Sequence, residues 1–387
     1  MRPIVIIVSH NNASEGAPLQ AAKLAEALAD EARSPQGRVH GAVLLSLCSG
    51  SNPDPRFTLL GKNPLTRLIG IVEEHIDLHQ RDVVVMLNTV VSCQIAANLR
   101  ETFARRYGEA PMLRDPMDPT SQTPKAPRVH VMGVVHELKT ESFKWVTAEH
   151  LSALKSVVFV SECSSDTFPA EMTPAVPRRV IHNWLTERER ASVDRYRTAH
   201  RPATTQRTTV LMCGVLAQHK RQLPAARAFG LLARGRPDLH LVLLGTVYDQ
   251  NYADLIVRAA GGPARVTVAG PVPHEEVLRH MAGCAALVHC AAMESCSLVV
   301  LEAMYSGAAI VAARAGGIPE QVRHNVSGLL YDHGGVDEHE TIAALLSTVL
   351  DDAGLRRELG AAARAAVDER FEERAAVSQY LDAIEAL

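Results

Sequence analysis

Two glutamates in the C-terminal half of the chain are spaced so that both can face one ligand. Glu294 and Glu302 lie eight residues apart in the run ESCSLVVLE, which follows a short apolar segment. This pattern predicts a strand, a loop and then a helix capped by Ser295 or Ser297. The backbone N–H groups of Leu298 and Val299 would then stand at the positive end of the helix dipole, where a phosphate binds well.

The predicted helix also sets the distance between this phosphate site and Glu302. Glu302 lies about five residues inside the helix, about 7.5 Å along its axis at 1.5 Å per residue. A carboxylate at that depth reaches the sugar hydroxyls of a nucleotide whose diphosphate rests on the helix start. Glu294, in the preceding loop, faces the same opening. The alternative is a pair of glutamates on a solvated helix face, which the spacing alone does not exclude.

The elements that must position these residues follow from the hydrophobic pattern. Short β-branched runs alternate with longer amphipathic stretches along most of the 387 residues, which is typical of an α/β protein with parallel strands. The chain is too long for one ordinary core and fits two domains. The sequence therefore predicts two doubly wound, Rossmann-like sheets, with strands near residues 4–8, 42–47, 83–87, 129–135, 157–160, 210–213, 239–244, 266–269, 286–289 and 309–312.

The domain boundaries are predicted from breaks in this alternation. Residues 1–186 form the N-terminal domain, the charged stretch 187–207 is a linker, and residues 208–368 form the C-terminal domain. The segment 107–128 has no periodicity and is interpreted as a long loop or a partly disordered insertion. The pattern of residues 369–387 predicts an amphipathic helix whose apolar stripe must be buried. The stripe consists of Phe371, Val377, Tyr380, Leu381 and Ile384.

Charge and cysteine content narrow the class of protein. The 40 Lys and Arg residues nearly balance the 43 Asp and Glu residues, and no block of like charge stands out, so neither nucleic-acid binding nor strong membrane association is expected. The 7 cysteines are scattered and never spaced C-x-x-C, which favours reduced thiols. The chain shows no signal peptide and no apolar run that could span a membrane. A cytoplasmic protein is expected.

Further motifs follow the two glutamates in a fixed order. Glu294 and Glu302 form an E-x7-E motif that continues into EAMYSG, then GGIPE at 316–320 and NVSGLL at 325–330. In this order the motifs resemble the retaining GT-B glycosyltransferases of family 4. The resemblance implies a GT-B fold, with two Rossmann-like domains facing across a cleft and a C-terminal helix crossing back to the N-terminal domain. It also implies that Glu302 binds the ribose hydroxyls and that Glu294 contacts the donor sugar.

Two positions of the C-terminal half depart from the family pattern. The loop CGVLAQHKRQ at 213–222 is similar to the family's strand-end loop, in which Gly214 approaches the donor and Lys220 matches the lysine that clamps the diphosphate. Val215 stands where many members have arginine. The segment 295–297 reads Ser-Cys-Ser where the family usually has Gly-Phe-Gly. A solvated lysine at a helix start is the alternative for Lys220.

Other strand ends match the family's nucleotide pocket by resemblance. Gly245 and the segment containing Gly270 and Val272 match loops that line the base pocket, although each glycine could equally be an ordinary turn glycine. Ser297, Leu298 and Val299 are assigned to the phosphate, as derived above. Glu320 is either part of the donor loop or an exposed helix-cap carboxylate.

The N-terminal half resembles the family more loosely. A polar loop precedes the first helix, and its Gly16 permits close backbone approach to the donor phosphate. His136 follows a strand at the carboxyl edge where such sheets hold ligands, and the resemblance places it near the donor sugar. Asn88 ends another strand and is a candidate acceptor contact from topology alone. Asn183 is interpreted as a helix N-cap at the hinge.

The resemblance implies transfer of a hexosyl or N-acetylhexosaminyl group from a nucleotide-diphosphate sugar. UDP-sugars are the family's commonest donors, followed by GDP-sugars. No cofactor or metal is expected, because a helix N-terminus and a cationic side chain can stabilise the leaving diphosphate, and the chain has no clear Asp-x-Asp pair after a strand. Asp115 and Asp118 are the only weak metal candidates. The expected acceptor is small and hydrophilic, for example a natural-product intermediate. The oligomeric state is not indicated.

Other functions remain open at this point. A dinucleotide oxidoreductase would need G-x-G-x-x-G after the first strand, and residues 14–18 do not provide it. A sugar-nucleotide epimerase or a sugar phosphorylase shares the two-domain fold. A catalytically silent relative is favoured by Val215 and by the Ser-Cys-Ser segment.

Overall fold

The computed structural model divides the chain into two compact units. One unit comprises residues 1–182 and 374–387, and the other comprises residues 183–373. The predicted loop at 107–128, with Asp115 and Asp118, lies almost wholly outside the residues that the structure describes. The described residues are 2–11, 16–48, 55–79, 81–89, 91–107, 128–138, 146–172, 176–199 and 208–387.

The first unit is built on a parallel seven-stranded sheet in the order β3-β2-β1-β4-β5-β6-β7. Its central strands are mostly Val, Ile and Leu and are largely buried, as helices covering both faces of a parallel sheet require; every residue of β4 is buried. The strands are β1 (Ile4–Asn11), β2 (Gly41–Cys48), β3 (Thr58–Leu59), β4 (Val83–Leu87), β5 (Val129–Val135), β6 (Ser156–Phe159) and β7 (Arg178–Val180). The helices are α1 (Gly16–Arg33), α2 (Pro64–His79), α3 (Ala96–Tyr107), α4 (Ala148–Ser152) and α5 (Glu162–Asp166).

The second unit has a parallel six-stranded sheet in the order β10-β9-β8-β11-β12-β13. Its strands are β8 (Thr208–Cys213), β9 (Leu239–Leu244), β10 (Val266–Gly270), β11 (Ala286–His289), β12 (Ala309–Ala313) and β13 (Leu329–Tyr331). Its helices are α6 (Glu187–Ala199), α7 (Gln222–Ala233), α8 (Gln250–Ala259), α9 (His274–Gly283), α10 (Leu298–Ser306), α11 (Ile318–Gln321), α12 (Glu338–Asp351) and α13 (Ala353–Arg370). Both sheets are doubly wound, and the predicted fold class is confirmed.

The expected linker at 187–207 is wrong over most of its described part. Helix α6 occupies Glu187–Ala199 and belongs to the second unit, which begins at residue 183 rather than 208. Thr186 and Glu189 cap the helix reciprocally, since each backbone N–H donates to the other's side-chain oxygen. This capping box starts a helix in a charged segment, and burial of Val193 anchors it.

The C-terminal helix is shorter than predicted. Residues 369 and 370 end α13, and a new helix, α14 (Glu373–Glu385), follows a break at Phe371. The whole predicted stripe is buried, from Phe371 to Ile384. Helix α14 packs in the first unit, where Arg38 forms ion pairs with Asp382 and Glu385. The chain therefore returns to the N-terminal sheet at its end, as the fold class predicts.

Two further observations concern the whole described part of the chain. None of its helices is long and apolar enough to cross a bilayer. Six of the seven cysteines are described as free thiols, and burial raises the pKa of Cys284, Cys290 and Cys296 to about 12. These three thiols are therefore protonated and unreactive at neutral pH.

Candidate active site

The candidate site lies where the strand order of the second sheet reverses. Strands β8 and β11 are neighbours there, although β9 and β10 lie between them in sequence. In open parallel sheets the crevice at the carboxyl ends of two such strands is where ligands bind. Lys220 follows β8 and Glu294 follows β11. The topology thus explains why two residues from distant parts of the sequence share one edge.

Lys220 and Glu294 are in direct contact. The Lys220 Nζ lies 2.5 Å from the Glu294 Oε1, and the Glu294 side chain is only 15% exposed. Burial by itself would raise the pKa of Glu294, but the neighbouring His289 and Lys220 stabilise the carboxylate and lower that pKa to about 2. The Lys220 side chain is 28% exposed and is paired with Glu294 rather than simply solvated.

The start of α10 is held by Ser297 and by Gln321, and the sequence analysis did not single out Gln321. Ser297 is the N-cap, and its hydroxyl accepts from the backbone N–H of Val300 at 3.4 Å. The amide of Gln321 brackets Ser297, since it accepts from its N–H and donates to its C=O, both at 2.9 Å. Leu298 and Val299 open the helix, where N–H groups have no partner inside the helix. A rigid group of donors therefore faces the site.

Asn183 has a different role from the predicted one. It lies four residues before α6 and does not cap it; its side-chain Nδ2 instead donates to the backbone oxygen of Cys296 at 2.8 Å. Asn183 thus braces the Ser-Cys-Ser segment at 295–297. No local signal predicted this contact, because the two residues lie 113 positions apart.

Glu302 is buried and bonded rather than solvated. It is 3% exposed, and the Nε2 of His274 lies 2.7 Å from its Oε1. The other ring nitrogen of His274 lies 3.7 Å from Glu189 Oε1, which is too long for a hydrogen bond. His274 opens α9 just after the predicted base-pocket segment, and that position was the available signal for it.

These three side chains also form a candidate cation site. Among the described residues, Glu189, His274 and Glu302 make up the one cluster whose ligand atoms all lie within 4.8 Å of one another. The two ring nitrogens of His274 address different carboxylates, however. The Nε2 of His274 bonds to Glu302, whereas its Nδ1 only faces Glu189 at 3.7 Å, so an ion held by all three would have to displace the Nε2 hydrogen bond.

Three predicted glycines lie side by side at the carboxyl ends of β8, β9 and β10. Gly214 and Gly245 have φ angles of 133° and 134°, and Gly270 has 71°, all in the region that favours glycine. The Gly245 N–H donates to the Gly270 oxygen at 2.9 Å. A Cβ on Gly245 would lie 2.2 Å from the Gly214 oxygen. The close approach of the ends of β8 and β9 thus requires glycine at 245, whereas a Cβ at Gly214 or Gly270 would meet nothing within 4 Å. Val272, which follows β10, is half-buried.

In the first unit, Asn88 joins two predicted site residues. Its Nδ2 donates to the Ala17 carbonyl at 2.9 Å, in the first turn of the helix that Gly16 begins. Its Oδ1 lies 3.1 Å from Nε2 of His136, which therefore carries the proton. Burial lowers the pKa of His136 to about 4, so this ring is neutral at pH 7. The rest of the polar loop, residues 12–15, lies outside the described residues.

Comparison with known proteins identifies the class. Residues 196–366 match the family of glycosyl transferases group 1. The whole chain superposes on HepE of Anabaena, solved with UDP-glucose, with a TM-score of 0.73, 20% identity and coverage of 99% of this chain and 100% of that one. The chain therefore has the GT-B fold, and residues 196–366, which lie in its second unit, are similar to the glycosyl transferases group 1 family.

Two curated relatives match shorter stretches. The N-acetyl-alpha-D-glucosaminyl L-malate synthase of Bacillus anthracis is 39% identical over 87 residues, which is 22% of each chain. The D-inositol 3-phosphate glycosyltransferase of Arthrobacter sp. strain FB24 is 31% identical over 188 residues, 45% of this chain and 44% of that relative. The chain thus matches less than half the length of either relative.

Proposed function

We propose that the protein is a retaining glycosyltransferase that moves a hexosyl or N-acetylhexosaminyl group from a UDP-sugar to a hydroxyl of a small hydrophilic acceptor. The supporting observation is the meeting of Lys220, Glu294 and the start of α10 at the switch point of a glycosyl transferases group 1 domain. A cation, a carboxylate and unpaired backbone donors at one edge suit a nucleotide diphosphate attached to a sugar.

The leaving group is the part of the reaction that this site can stabilise. As the bond between sugar and diphosphate breaks, negative charge develops on the phosphate oxygens. The N–H groups of Leu298 and Val299 and the ammonium of Lys220 are held in place before the reaction begins, so they stabilise that charge without reorganisation. In this scheme no divalent ion is required. The acceptor hydroxyl attacks the face that the diphosphate leaves, which retains the anomeric configuration.

Glu302 is proposed to bind the ribose of the donor. Its carboxylate is buried within α10, and the hydrogen bond from His274 fixes one oxygen. A fixed, buried carboxylate accepts strongly from a pair of vicinal hydroxyls. Gly214, Gly245, Gly270 and Val272 are proposed to line the base, since Gly214 and Gly270 have open space where a Cβ would lie and Gly245 lets the ends of β8 and β9 approach closely.

His136 is proposed to act in the transfer step as a neutral imidazole. Its lowered pKa and its hydrogen bond to Asn88 fix both its charge state and its tautomer. Gly16 begins the helix that Asn88 holds and is proposed to give backbone access to the donor phosphate. These two assignments rest on resemblance and on position at the carboxyl edge of the first sheet.

The relatives' names support the proposed substrate classes. HepE was solved with UDP-glucose, and one relative transfers an N-acetylglucosaminyl group to L-malate by its name. Another is named for D-inositol 3-phosphate. Malate and inositol phosphate are both small and strongly polar, which favours a hydrophilic acceptor for this chain as well.

The first experiment is to measure thermal shifts with UDP, GDP, ADP and dTDP, each with and without EDTA. A nucleotide that binds the folded state raises the melting temperature. A shift with UDP that survives EDTA is expected. A shift with none of the four would contradict a nucleotide-sugar site, and a shift abolished by EDTA would contradict metal independence.

The second experiment measures transfer itself. UDP-glucose and UDP-N-acetylglucosamine are each incubated with L-malate and with inositol phosphate, and the anomeric configuration of the product is read by NMR. An α-linked product from an α-linked donor is expected. Formation of sugar-1-phosphate and UDP when inorganic phosphate replaces the acceptor would favour a phosphorylase. An altered donor sugar would favour an epimerase, and binding without turnover would favour a silent relative.

A further inference from the structure

A second side chain that can bond to Glu294 is buried directly beside it. His289 is the last residue of β11 and is 6% exposed. Its Nε2 lies 3.5 Å from Glu294 Oε1, the same oxygen that Lys220 contacts. Within the described residues this Nε2 makes no hydrogen bond. The buried Nε2 of His289 thus lies close to a Glu294 oxygen that already contacts Lys220.

This arrangement matters because Lys220 is needed in two places. In the structure its ammonium neutralises Glu294, whereas the proposed function requires the same ammonium at the diphosphate. When Lys220 moves to the phosphate, Glu294 keeps its buried position but loses its ion pair. Leaving a buried carboxylate without a partner is strongly unfavourable, so another donor must take over.

We propose that His289 is the positioning residue that holds Glu294 once the donor diphosphate has drawn Lys220 away. A shift of a few tenths of an ångström brings Nε2 within hydrogen-bond distance of Oε1. The Nε2–H group then donates to Oε1, and Oε2 accepts from a hydroxyl of the donor sugar. This inference rests on the proposed function. In it, His289 affects donor binding only through the contact between Glu294 and the donor sugar.

The test compares the affinities of UDP and UDP-sugar by calorimetry. Three variants are measured with UDP, UDP-glucose and UDP-N-acetylglucosamine: His289→Leu, His289→Gln and the control His280→Gln. His280 is a partly buried histidine of α9 that also lies beside a glutamate, Glu276, at 3.6 Å, but outside the site.

The expected result is a selective loss. His289→Leu should bind UDP within about twofold of the wild type. It should bind the UDP-sugar that the enzyme uses about tenfold more weakly, as loss of one hydrogen bond to a charged group predicts. The kcat should fall by a similar factor. His289→Gln restores a donor and should recover most of the affinity, and His280→Gln should match the wild type.

Each other outcome contradicts the inference in a recognisable way. Equal weakening of UDP and UDP-sugar would mean that His289 only supports the fold, and unchanged UDP-sugar affinity in His289→Leu would remove its role. Loss of UDP-sugar affinity without rescue in His289→Gln would exclude hydrogen bonding as the cause. If the wild type binds no nucleotide, the proposed function itself fails, whatever the variants do.

Discussion

The Nε2 of His274 lies 2.7 Å from the Oε1 of Glu302, and the carboxylate is almost fully buried. His274 is the first residue of α9, and Glu302 lies in the middle of α10, 28 positions later in the sequence. The contact fixes the side chain that is proposed to bind ribose. We therefore expect His274 to support nucleotide affinity, although among the sequence signals only its position after the base-pocket segment pointed to it.

We expect Glu302→Gln to weaken UDP binding by about 10- to 100-fold, because hydrogen bonds to a charged acceptor contribute about 1.5–3 kcal/mol. His274→Ala should weaken binding less, because the carboxylate remains but loses its fixed orientation. Calorimetric titration with UDP measures both. Glu340→Gln, at an exposed position of α12, is the matched control and should bind UDP normally. Normal affinity in Glu302→Gln would contradict the ribose assignment.

Lys220→Ala should lower kcat by about 10²- to 10³-fold, as removal of one preorganised group that stabilises developing charge does in other enzymes. The effect on kcat should exceed the effect on UDP affinity, because charge on the diphosphate grows as the bond breaks. Steady-state kinetics with the donor give both quantities. Arg234→Ala removes an exposed cation from the same unit and should leave kcat unchanged. An equal loss in both variants would point to general electrostatics.

Stability should depend on pH through His136. The pKa of this residue falls from its ordinary 6.5 to about 4 because it is buried in the folded chain. Between pH 6.5 and 4 this histidine is protonated in the unfolded chain but not in the folded chain. The free energy of unfolding therefore decreases as the pH falls from about 6.5 to 4. Urea unfolding of wild type and His136→Gln at pH 4, 5, 6 and 7 tests this. The variant should lose less stability over that interval, and parallel curves would contradict it.

Gly245→Ala should be strongly destabilising. Its φ of 134° strains any other residue, and the new Cβ would lie 2.2 Å from the Gly214 oxygen. A loss of about 1–3 kcal/mol is expected from the backbone conformation alone, with more from the clash. Gly235→Ala is the control, because a Cβ there meets nothing within 4 Å. Similar melting temperatures for the two variants would show that the strand ends can separate.

Much of the fold could be predicted because its causes are local. Strands and helices each require their own spacing of apolar side chains. The alternation of β-branched runs with amphipathic stretches therefore indicates where each element lies. The linker prediction was wrong because a high charge content does not exclude a helix. The Thr186–Glu189 spacing is typical of a capping box and indicates a helix start in this segment. The terminal helix was placed correctly but began four residues too early, because the break at Phe371 has no strong local signal.

The sequence by itself determined the α/β class. Together with the family resemblance it predicted residues for a phosphate, a ribose and a base: Lys220, Glu294, Glu302 and the strand-end glycines. Only the tertiary structure decided which side chains support them. His274, His289, Asn183 and Gln321 come from different elements, and each meets its partner across a sheet edge or between helices. Periodicity describes one element at a time, whereas these contacts arise from packing residues that are far apart in sequence.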